Sequence, residues 1–389
     1  MSSASRFAVF LCAAVGVWLL LHLYAGWRLW GLPLVSSPGG RRWLLVVMAA
    51  GFLCYPAGRI VWHHGWHGPG IGLEYVGAVW MGFVFLLFVF LAATDVATLG
   101  GFVLRPWLNS IRTGAAALAV VGAVAGVIGG LQRPRVVEVE LEAPSLAAEH
   151  DGLTLVQLSD VHLGTLIGER FLGRLIARVE ALKPDVVVIT GDLVDADWNA
   201  VDGTLPLLKR LRAPRGVLAV TGNHEYYAGI DRCHRLLSET GFTCLENRHV
   251  EVVPGLVIAG VPDARGAAQM GEPGPDLAAA LDGVDDSATV VLLQHAPERE
   301  TEAAAAGVDL LLNGHTHGAQ LWPFHYLVRL AYPHLAGVFK VGDMTQVVSR
   351  GAGRWGPPMR LLAPPDIVRV TVTRAEPRSR HDSPLLTSP

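Results

Sequence analysis

Residues able to hold a metal ion follow short apolar runs between residues 153 and 317 of this 389-residue chain. Asp, His and Asn side chains come directly after five runs rich in Val, Ile and Leu, mostly beside glycines that permit tight turns. The segments are Asp160-Val-His162, Gly191-Asp192, Gly222-Asn223-His224, Gln294-His295 and Gly314-His315-Thr-His317. In α/β sheets, sites form beyond the carboxyl ends of the strands, so these side chains are predicted to meet.

The ligand types indicate a hard or borderline metal. Carboxylate, amide and imidazole groups without cysteine suit Mn, Fe, Zn or Mg rather than a thiolate site. One such residue alone is most often turn chemistry or an ordinary histidine. Seven candidates exceed the three or four protein ligands of a single zinc site. The number fits two cations that share a carboxylate, and two ions about 3.5–4 Å apart can activate water and clamp a phosphoryl group.

His224 is an additional candidate with a different role. It directly follows Asn223, so it lies at the expected site without being needed as a ligand. A leaving alkoxide needs a proton, and a histidine can supply one near pH 7. We therefore expect His224 to act as the catalytic acid.

The elements that must position these residues alternate between strands and helices. Apolar residues recur at three- and four-residue spacing across Phe171–Leu182 and Leu205–Leu211, which predicts helices. The runs between them predict buried strands at Leu153–Leu158, Val186–Thr190, Val217–Thr221, Val257–Ala259, Thr289–Leu293 and Val308–Leu312. We assign residues 151–374 to an α/β domain, 132–150 to a linker with a first strand at Val136–Leu141, and 375–389 to a disordered tail.

The first third of the chain is far more apolar. Only 17% of the whole chain is charged, against about 25% in soluble domains, and just eight charged residues lie between Phe7 and Leu131. Four apolar runs there are long enough for a bilayer core of ~30 Å; they are Phe7–Trp30, Trp43–Trp62, Ile71–Ala93 and Ala115–Leu131. Residues 1–131 are predicted to form a membrane domain of four transmembrane helices. The net charge of −3 gives no reason to expect a nucleic-acid partner.

The arginine distribution leaves the orientation of the spans open. Four spans put both ends of the membrane domain on one side, with Arg6, Arg59, Arg133 and Arg135. The opposite side has Arg28, Arg41, Arg42, Arg105 and Arg112. Because the opposite side has one arginine more, the positive-inside rule favours placing that side in the cytoplasm and the C-terminal domain outside.

The ordered ligand series resembles the calcineurin-like metallophosphoesterases across residues 150–370. The strings Ser-Asp-Val-His-Leu-Gly, Gly-Asn-His-Glu-Tyr-Tyr and Gly-His-Thr-His-Gly are similar to a bacterial membrane-associated branch. The resemblance implies two facing β-sheets flanked by helices, two divalent metal ions and a place in the bacterial inner membrane. One departure is Ala319, where many relatives in this branch have a second glycine.

The resemblance also implies individual roles. The first metal would be held by Asp160, His162 and His317, and the second by Asn223, His295 and His315. Asp192 would bridge the two ions. His224 would stay free of metal and close to the scissile phosphate.

Three functions are compatible with these features. The favoured one is a membrane-anchored phosphoesterase that hydrolyses a phosphodiester, pyrophosphate or phosphomonoester, with lipid-linked compounds among the candidates because the domain begins about twenty residues after the last span. The alternative is a non-catalytic membrane protein, a transport or assembly factor, that keeps the fold for binding; an eroded ligand set would favour it. Hydrolysis of a non-phosphate ester is the third, and the peptidase signature His-Glu-x-x-His is absent. Whether Cys233 and Cys244 pair depends on the compartment.

Overall fold

Four long helices form the N-terminal part of the computed structural model, which describes residues 3–195 and 198–374. They are α1 (Ser3–Trp30), α2 (Pro38–His63), α3 (His67–Ala97) and α4 (Leu108–Gly130). All four contain a stretch long and apolar enough to cross a membrane, which confirms the four predicted spans. The tail predicted to be disordered lies outside the described residues.

Charged residues mark the two ends of the four-helix bundle. At one end Arg59 of α2 lies 3.4 Å from Glu74 of α3. At the other end Asp95 of α3 pairs with Arg28 of α1 at 2.5 Å and with Arg112 of α4 at 3.0 Å. Glu74 and Asp95 are 21 residues apart in one helix, about 31 Å at 1.5 Å per residue, which matches a hydrocarbon core of about 30 Å. Glu74 and Asp95 therefore mark the two ends of the part of α3 that would cross the hydrocarbon core, and distances along α3 from Glu74 give the depth of other residues.

The second part of the chain is an α/β domain. Its strands are β1 (Arg135–Glu142), β2 (Leu153–Leu158), β3 (Val186–Thr190), β4 (Val217–Val220), β5 (Thr243–Cys244), β6 (Arg248–Val253), β7 (Leu256–Gly260), β8 (Thr289–Leu293), β9 (Leu310–Asn313), β10 (Gly337–Val341), β11 (Met344–Val348) and β12 (Asp366–Thr373). Its helices are α5 (Glu169–Ala181), α6 (Trp198–Val201), α7 (Leu205–Leu208), α8 (Asn223–Ala228), α9 (Ile230–Thr240), α10 (Ala264–Met270), α11 (Leu277–Leu281), α12 (Glu300–Ala305) and α13 (His325–Ala331).

Two six-stranded sheets face each other across the centre of this domain. The first has the order β1-β12-β2-β3-β4-β5 and the second β10-β11-β9-β8-β7-β6. Strands β2 to β5 run parallel, as do β7, β8, β9 and β11. Leu155 and Val188 of the first sheet share one core cluster with Ile258 and Val291 of the second. Helices α5 and α9 cover the outer face of the first sheet, and α11 and α12 that of the second. The predicted two-sheet fold flanked by helices is confirmed.

The four cysteines are free thiols in this structure. Cys233 lies on the buried face of α9, where its Sγ donates to the carbonyl oxygen of Glu225 at 3.3 Å. The pairing of Cys233 with Cys244 that the sequence left open is therefore not formed here.

Candidate metal centre

The eight predicted site residues meet at one end of the sandwich. Because β2, β3, β4, β8 and β9 are parallel within their sheets, the loops that follow them emerge at the same edge. The residues are Asp160 and His162 after β2, Asp192 after β3, Asn223 and His224 at the start of α8, His295 after β8, and His315 and His317 after β9.

The backbone at this edge is held in an unusual conformation. Five of the predicted ligands have positive φ angles, namely Asp160 (53°), His162 (53°), Asp192 (52°), His315 (69°) and His317 (51°). This left-handed region costs a residue with a Cβ roughly 1–2 kcal/mol. Strain concentrated in this way is typical of a functional site, where the surrounding structure enforces it.

Gly222 and Gly314 are needed because neighbouring side chains lie too close to leave room for a Cβ, and not because a turn requires glycine. A Cβ at Gly222 would lie 2.2 Å from Oδ1 of Asp192. A Cβ at Gly314 would lie 2.3 Å from Oδ2 of Asp160. Any side chain at these two positions would displace a carboxylate.

The first cluster contains the ligand atoms of Asp160, His162 and His317. Nε2 of His162 and Nε2 of His317 are 3.0 Å apart, and Oδ1 of Asp160 is 3.6 Å from Nε2 of His317. Oδ2 of Asp192 lies 3.7 Å from Nε2 of His162. Four ligand atoms from three strand ends therefore converge on one point.

The second cluster shares Asp192 with the first. The same Oδ2 lies 3.2 Å from Nε2 of His295, and that nitrogen is 3.1 Å from Nδ1 of His315. Oδ1 of Asn223 is buried here and has no hydrogen-bond partner. Oδ2 of Asp192 thus lies within 4 Å of a histidine nitrogen in each of the two clusters.

These residues fit divalent cations. Ligands at about 2.0–2.2 Å from one cation lie roughly 3 Å from each other, which is the spacing of the two nitrogen pairs. The orphaned Oδ1 of Asn223 would gain a partner from a cation. Nδ1 of His295 donates to the carbonyl oxygen of Thr190 at 2.8 Å, which leaves Nε2 facing the cluster as the nitrogen that a cation would bind.

The pKa shifts of the buried histidines differ in direction. Burial opposes the charge of His295, but Asp192 outweighs burial and raises the pKa of His295 well above its ordinary value. Burial lowers the pKa of His162 to about 4 and that of His315 to about 3, so both rings are neutral and have lone pairs to offer. Burial alone would raise the pKa of Asp192, but the adjacent His295 and His224 hold it well below its ordinary value. Burial, with the charge of Asp192, raises the pKa of Asp160 to about 6.

His224 differs from the other histidines. Its Nδ1 lies 3.0 Å from Oδ1 of Asp195. Burial opposes its charge, but Asp192 and Asp195 outweigh burial and raise the pKa of His224 to about 9. The ring is an imidazolium at neutral pH, and it lies edge-on to Trp355 with centroids 5.5 Å apart.

Sequence reasoning missed two carboxylates that support the centre. Asp195 holds His224, and it stands three residues after Asp192, a spacing that could have identified it. Glu225 is buried and accepts hydrogen bonds from the backbone N–H groups of Asp192, Leu193, Val194 and Gly222 at 2.7–3.1 Å. It therefore ties the loop after β3 to the loop after β4.

Two further neighbours come from distant parts of the chain. The hydroxyl oxygen of Tyr332 is 2.8 Å from Nε2 of His315. The buried guanidinium of Arg360 lies 3.2 Å from Nδ1 of His317 and donates to the carbonyl oxygen of Gly353 at 2.6 Å. Local sequence contains no signal for either contact, because both depend on how the C-terminal segments fold back over the site.

Comparison with known proteins defines the class. The calcineurin-like phosphoesterase family matches residues 153–319. An uncharacterised metallophosphoesterase from Aquifex aeolicus is 39% identical over 222 residues, which are 57% of this chain and 85% of that protein. The chain therefore belongs to the calcineurin-like metallophosphoesterase family, as the resemblance predicted.

Two longer relatives match with similar identity. An uncharacterised metallophosphoesterase from Campylobacter jejuni is 37% identical over 63% of this chain and 64% of its own length. A transmembrane protein with a metallophosphoesterase domain from Danio rerio is 34% identical over 66% of this chain and 62% of its own length. The matched region is thus less than two thirds of each of these relatives. The four candidate spans and the relative named as a transmembrane protein support a membrane protein.

Proposed function

We propose that the chain is a membrane-integral phosphoesterase that uses two divalent cations to hydrolyse a phosphodiester, pyrophosphate or phosphomonoester. The observation that carries this proposal is the position of Asp192. Its Oδ2 lies 3.2 Å from Nε2 of His295 in one ligand cluster and 3.7 Å from Nε2 of His162 in the other. A single shared carboxylate between two clusters is the arrangement that a pair of metal ions requires.

Each ligand would have a defined role. Asp160, His162 and His317 would hold the first cation, Asn223, His295 and His315 the second, and Asp192 would bridge them. When bound, two such cations supply Lewis-acid activation of a water and neutralise charge on the phosphoryl group. The metal could be Mn, Fe, Zn or Mg, because this ligand set accepts each of them.

His224 would complete the reaction by protonating the leaving oxygen. Its Nδ1 is occupied by Asp195, so Nε2 is the nitrogen available to the substrate. The carboxylate of Asp195 keeps the ring oriented and favours its protonated form. The exposed rings of Tyr227 and Trp355 flank His224 and would contact the part of the substrate beyond the phosphate.

A lipid-linked substrate in a bacterial inner membrane is the most specific form of this proposal. The catalytic domain is attached directly to α4, and Oγ1 of Thr165 in its loop donates to Glu74 of α3 at 3.3 Å. An enzyme anchored in this way gains local concentration only for substrates that are also in the membrane. The arginine count favours a catalytic domain on the outer side.

The test is hydrolysis by the purified full chain in detergent, stripped of metal and reloaded with Mn, Fe, Zn or Mg. Substrates are p-nitrophenyl phosphate, bis(p-nitrophenyl) phosphate and CDP-glycerol. We expect metal-dependent turnover of at least one. The variant His224→Ala should keep two metal ions per chain and lose roughly 10²–10⁴-fold in rate, the usual contribution of a positioned acid.

The matched control is His234→Ala, which removes a histidine of the same domain that pairs with Glu246 instead. It should leave the rate unchanged. A wild-type protein that holds two metal ions but hydrolyses none of these three compounds and no acylated phosphoester or pyrophosphate would contradict the proposal and favour the non-catalytic alternative.

A further inference from the structure

Two segments that begin beside the metal centre pack against the membrane domain. The first segment is residues 318–324, and the second is residues 355–362. Four residues after His317, Leu321 joins the apolar cluster formed by α3 and α4. Four residues after Trp355, whose ring lies against His224, Met359 joins the same cluster. The two segments also pair with each other, since the backbone N–H of Trp322 donates to the carbonyl oxygen of Leu361 at 3.1 Å.

The first segment reaches far along α3. The ring of Phe324 contacts Phe85 at a centroid distance of 5.9 Å, and Trp322 contacts Phe90 at 6.2 Å. Phe85 and Phe90 lie about 16 Å and 24 Å along α3 from Glu74, at 1.5 Å per residue. Both contacts therefore fall between the charged ends of the helix, at the depth of the hydrocarbon core.

The second segment is joined to α3 and α4 by close packing and a backbone hydrogen bond. Met359 is fully buried between two glycines, because a Cβ at Gly82 or at Gly126 would lie 2.5 Å or 3.0 Å from its side chain. The backbone N–H of Arg360 donates to the carbonyl oxygen of Gly126 at 2.7 Å. This part of the catalytic domain is thus fixed within the spans rather than resting on them.

Helix α13 follows the first segment and leaves large apolar side chains uncovered. Leu327 is 61% exposed, Leu330 is 84% exposed, and Leu362 of the second segment is 80% exposed. Because this surface continues from segments packed against membrane spans, the partner with matching chemistry is acyl chain.

The same helix leads back to the metal centre. Directly after α13 comes Tyr332, whose hydroxyl oxygen is 2.8 Å from Nε2 of His315. α13 is seven residues long, about 10 Å at 1.5 Å per residue. An acyl chain lying along α13 would therefore end within reach of the proposed ligands.

We propose that residues 321–331 form a membrane-inserted element whose exposed leucines contact acyl chains. We further propose that this element admits substrates from the bilayer, with the chain along α13 and the phosphate at the metal centre. The substrate class is thus an acylated phosphoester or pyrophosphate. The proposed entry of substrate from the bilayer rests on the proposed function, whereas the proposed insertion does not.

Insertion is tested with an environment-sensitive fluorophore, nitrobenzoxadiazole maleimide, at Leu330→Cys in full-length protein lacking Cys12, Cys54 and Cys244. The protein is placed in vesicles of dioleoylphosphatidylcholine and dioleoylphosphatidylglycerol. We expect quenching by a phosphatidylcholine with a nitroxide on its acyl chain and protection from aqueous iodide. The control is Asp286→Cys, an exposed position before β8 and so at the opposite end of the sheet from His295. Iodide quenching at residue 330 equal to that at residue 286 would overturn the insertion.

Substrate entry is tested with three pairs of compounds that differ only in their acyl chains. The pairs are dioleoylphosphatidic acid and glycerol phosphate, dioleoylphosphatidylglycerol and glycerophosphoglycerol, and CDP-diacylglycerol and CDP-glycerol. We expect kcat/KM to be at least tenfold higher for one acylated member, and this ratio to fall about tenfold in Leu330→Asp, the size expected for one lost leucine contact. A ratio near one in the wild type would overturn substrate entry from the bilayer. Inactivity on all six compounds would count against the proposed function, and the fluorophore would still decide the insertion.

Discussion

Nδ1 of His224 lies 3.0 Å from Oδ1 of Asp195, and the carboxylate raises the pKa of the imidazole together with Asp192. Asp192 and Asp195 together outweigh the effect of burial and favour the protonated ring. A leaving alkoxide can take a proton from such a ring without prior protonation from solvent.

The variant Asp195→Asn should slow turnover by less than the roughly 10²–10⁴-fold effect of removing the acid itself. It should also shift the pH profile. A general acid is active when protonated, so the rate falls as pH rises through its pKa. Loss of the Asp195 charge lowers the pKa of His224, and the alkaline limb of kcat should therefore move to lower pH. An unmoved alkaline limb would show that Asp195 does not act through His224.

Glu225 is expected to be a structural requirement of the centre. In Glu225→Gln an amide group would face backbone N–H donors that now bond to a carboxylate oxygen. The expected loss of stability is about 2–3 kcal/mol, the scale of hydrogen bonds to a charged group. Thermal unfolding of metal-free protein in detergent measures this loss. The exposed Glu239→Gln on α9 is the control, and equal stability of the two variants would contradict the prediction.

Ala319 is the position at which the family resemblance led us to expect a glycine. Its φ angle is 61°, in the left-handed region that disfavours a Cβ. We expect Ala319→Gly to raise the free energy of unfolding by about 1 kcal/mol. Ala303→Gly, within helix α12, should have the opposite sign at about the same size. Destabilisation by both changes, measured by thermal unfolding, would show that the Ala319 methyl contributes more by packing than it costs in strain.

The orientation of the spans can be tested by cysteine labelling in intact cells with a membrane-impermeant maleimide, in a chain without Cys12, Cys54 and Cys244. His64→Cys, between α2 and α3, should label from the same face as Asp286→Cys in the catalytic domain. Ser36→Cys and Phe102→Cys should label from the opposite face. We expect the first pair to react from outside, as the arginine count favours. Labelling of His64→Cys and Ser36→Cys from the same face would contradict the four-span arrangement.

The predicted site depended on signals that are local in sequence. Each ligand segment, such as Asp160-Val-His162, follows a continuous apolar strand, so strand and ligand can be recognised together. The bounds of β2, β3 and β8 were predicted correctly for the same reason. Strands that are buried on both faces by neighbouring helices and sheets appear in the sequence as unbroken runs of Val, Ile and Leu.

Elements that depend on distant partners were not predicted. Strand β12 lies between β1 and β2 in the first sheet, paired with residues about 200 positions earlier, and it alternates apolar and polar residues. The helix predicted over Leu205–Leu211 ends at Leu208, after which the backbone N–H groups of Arg210 and Leu211 bond three residues back instead of four. The contact of Tyr332 with His315 depends on how the chain returns to the site after α13. These features arise from tertiary packing, for which short sequence patterns contain no information.

The most direct test of the account is the rate of bis(p-nitrophenyl) phosphate hydrolysis as a function of metal ions bound per chain. If Asp192 bridges two ions, the wild-type rate should rise to a plateau at two bound ions, and Asp192→Asn should show no comparable turnover at any loading. Full activity with one ion or none, or a fully active Asp192→Asn protein, would contradict the dinuclear centre.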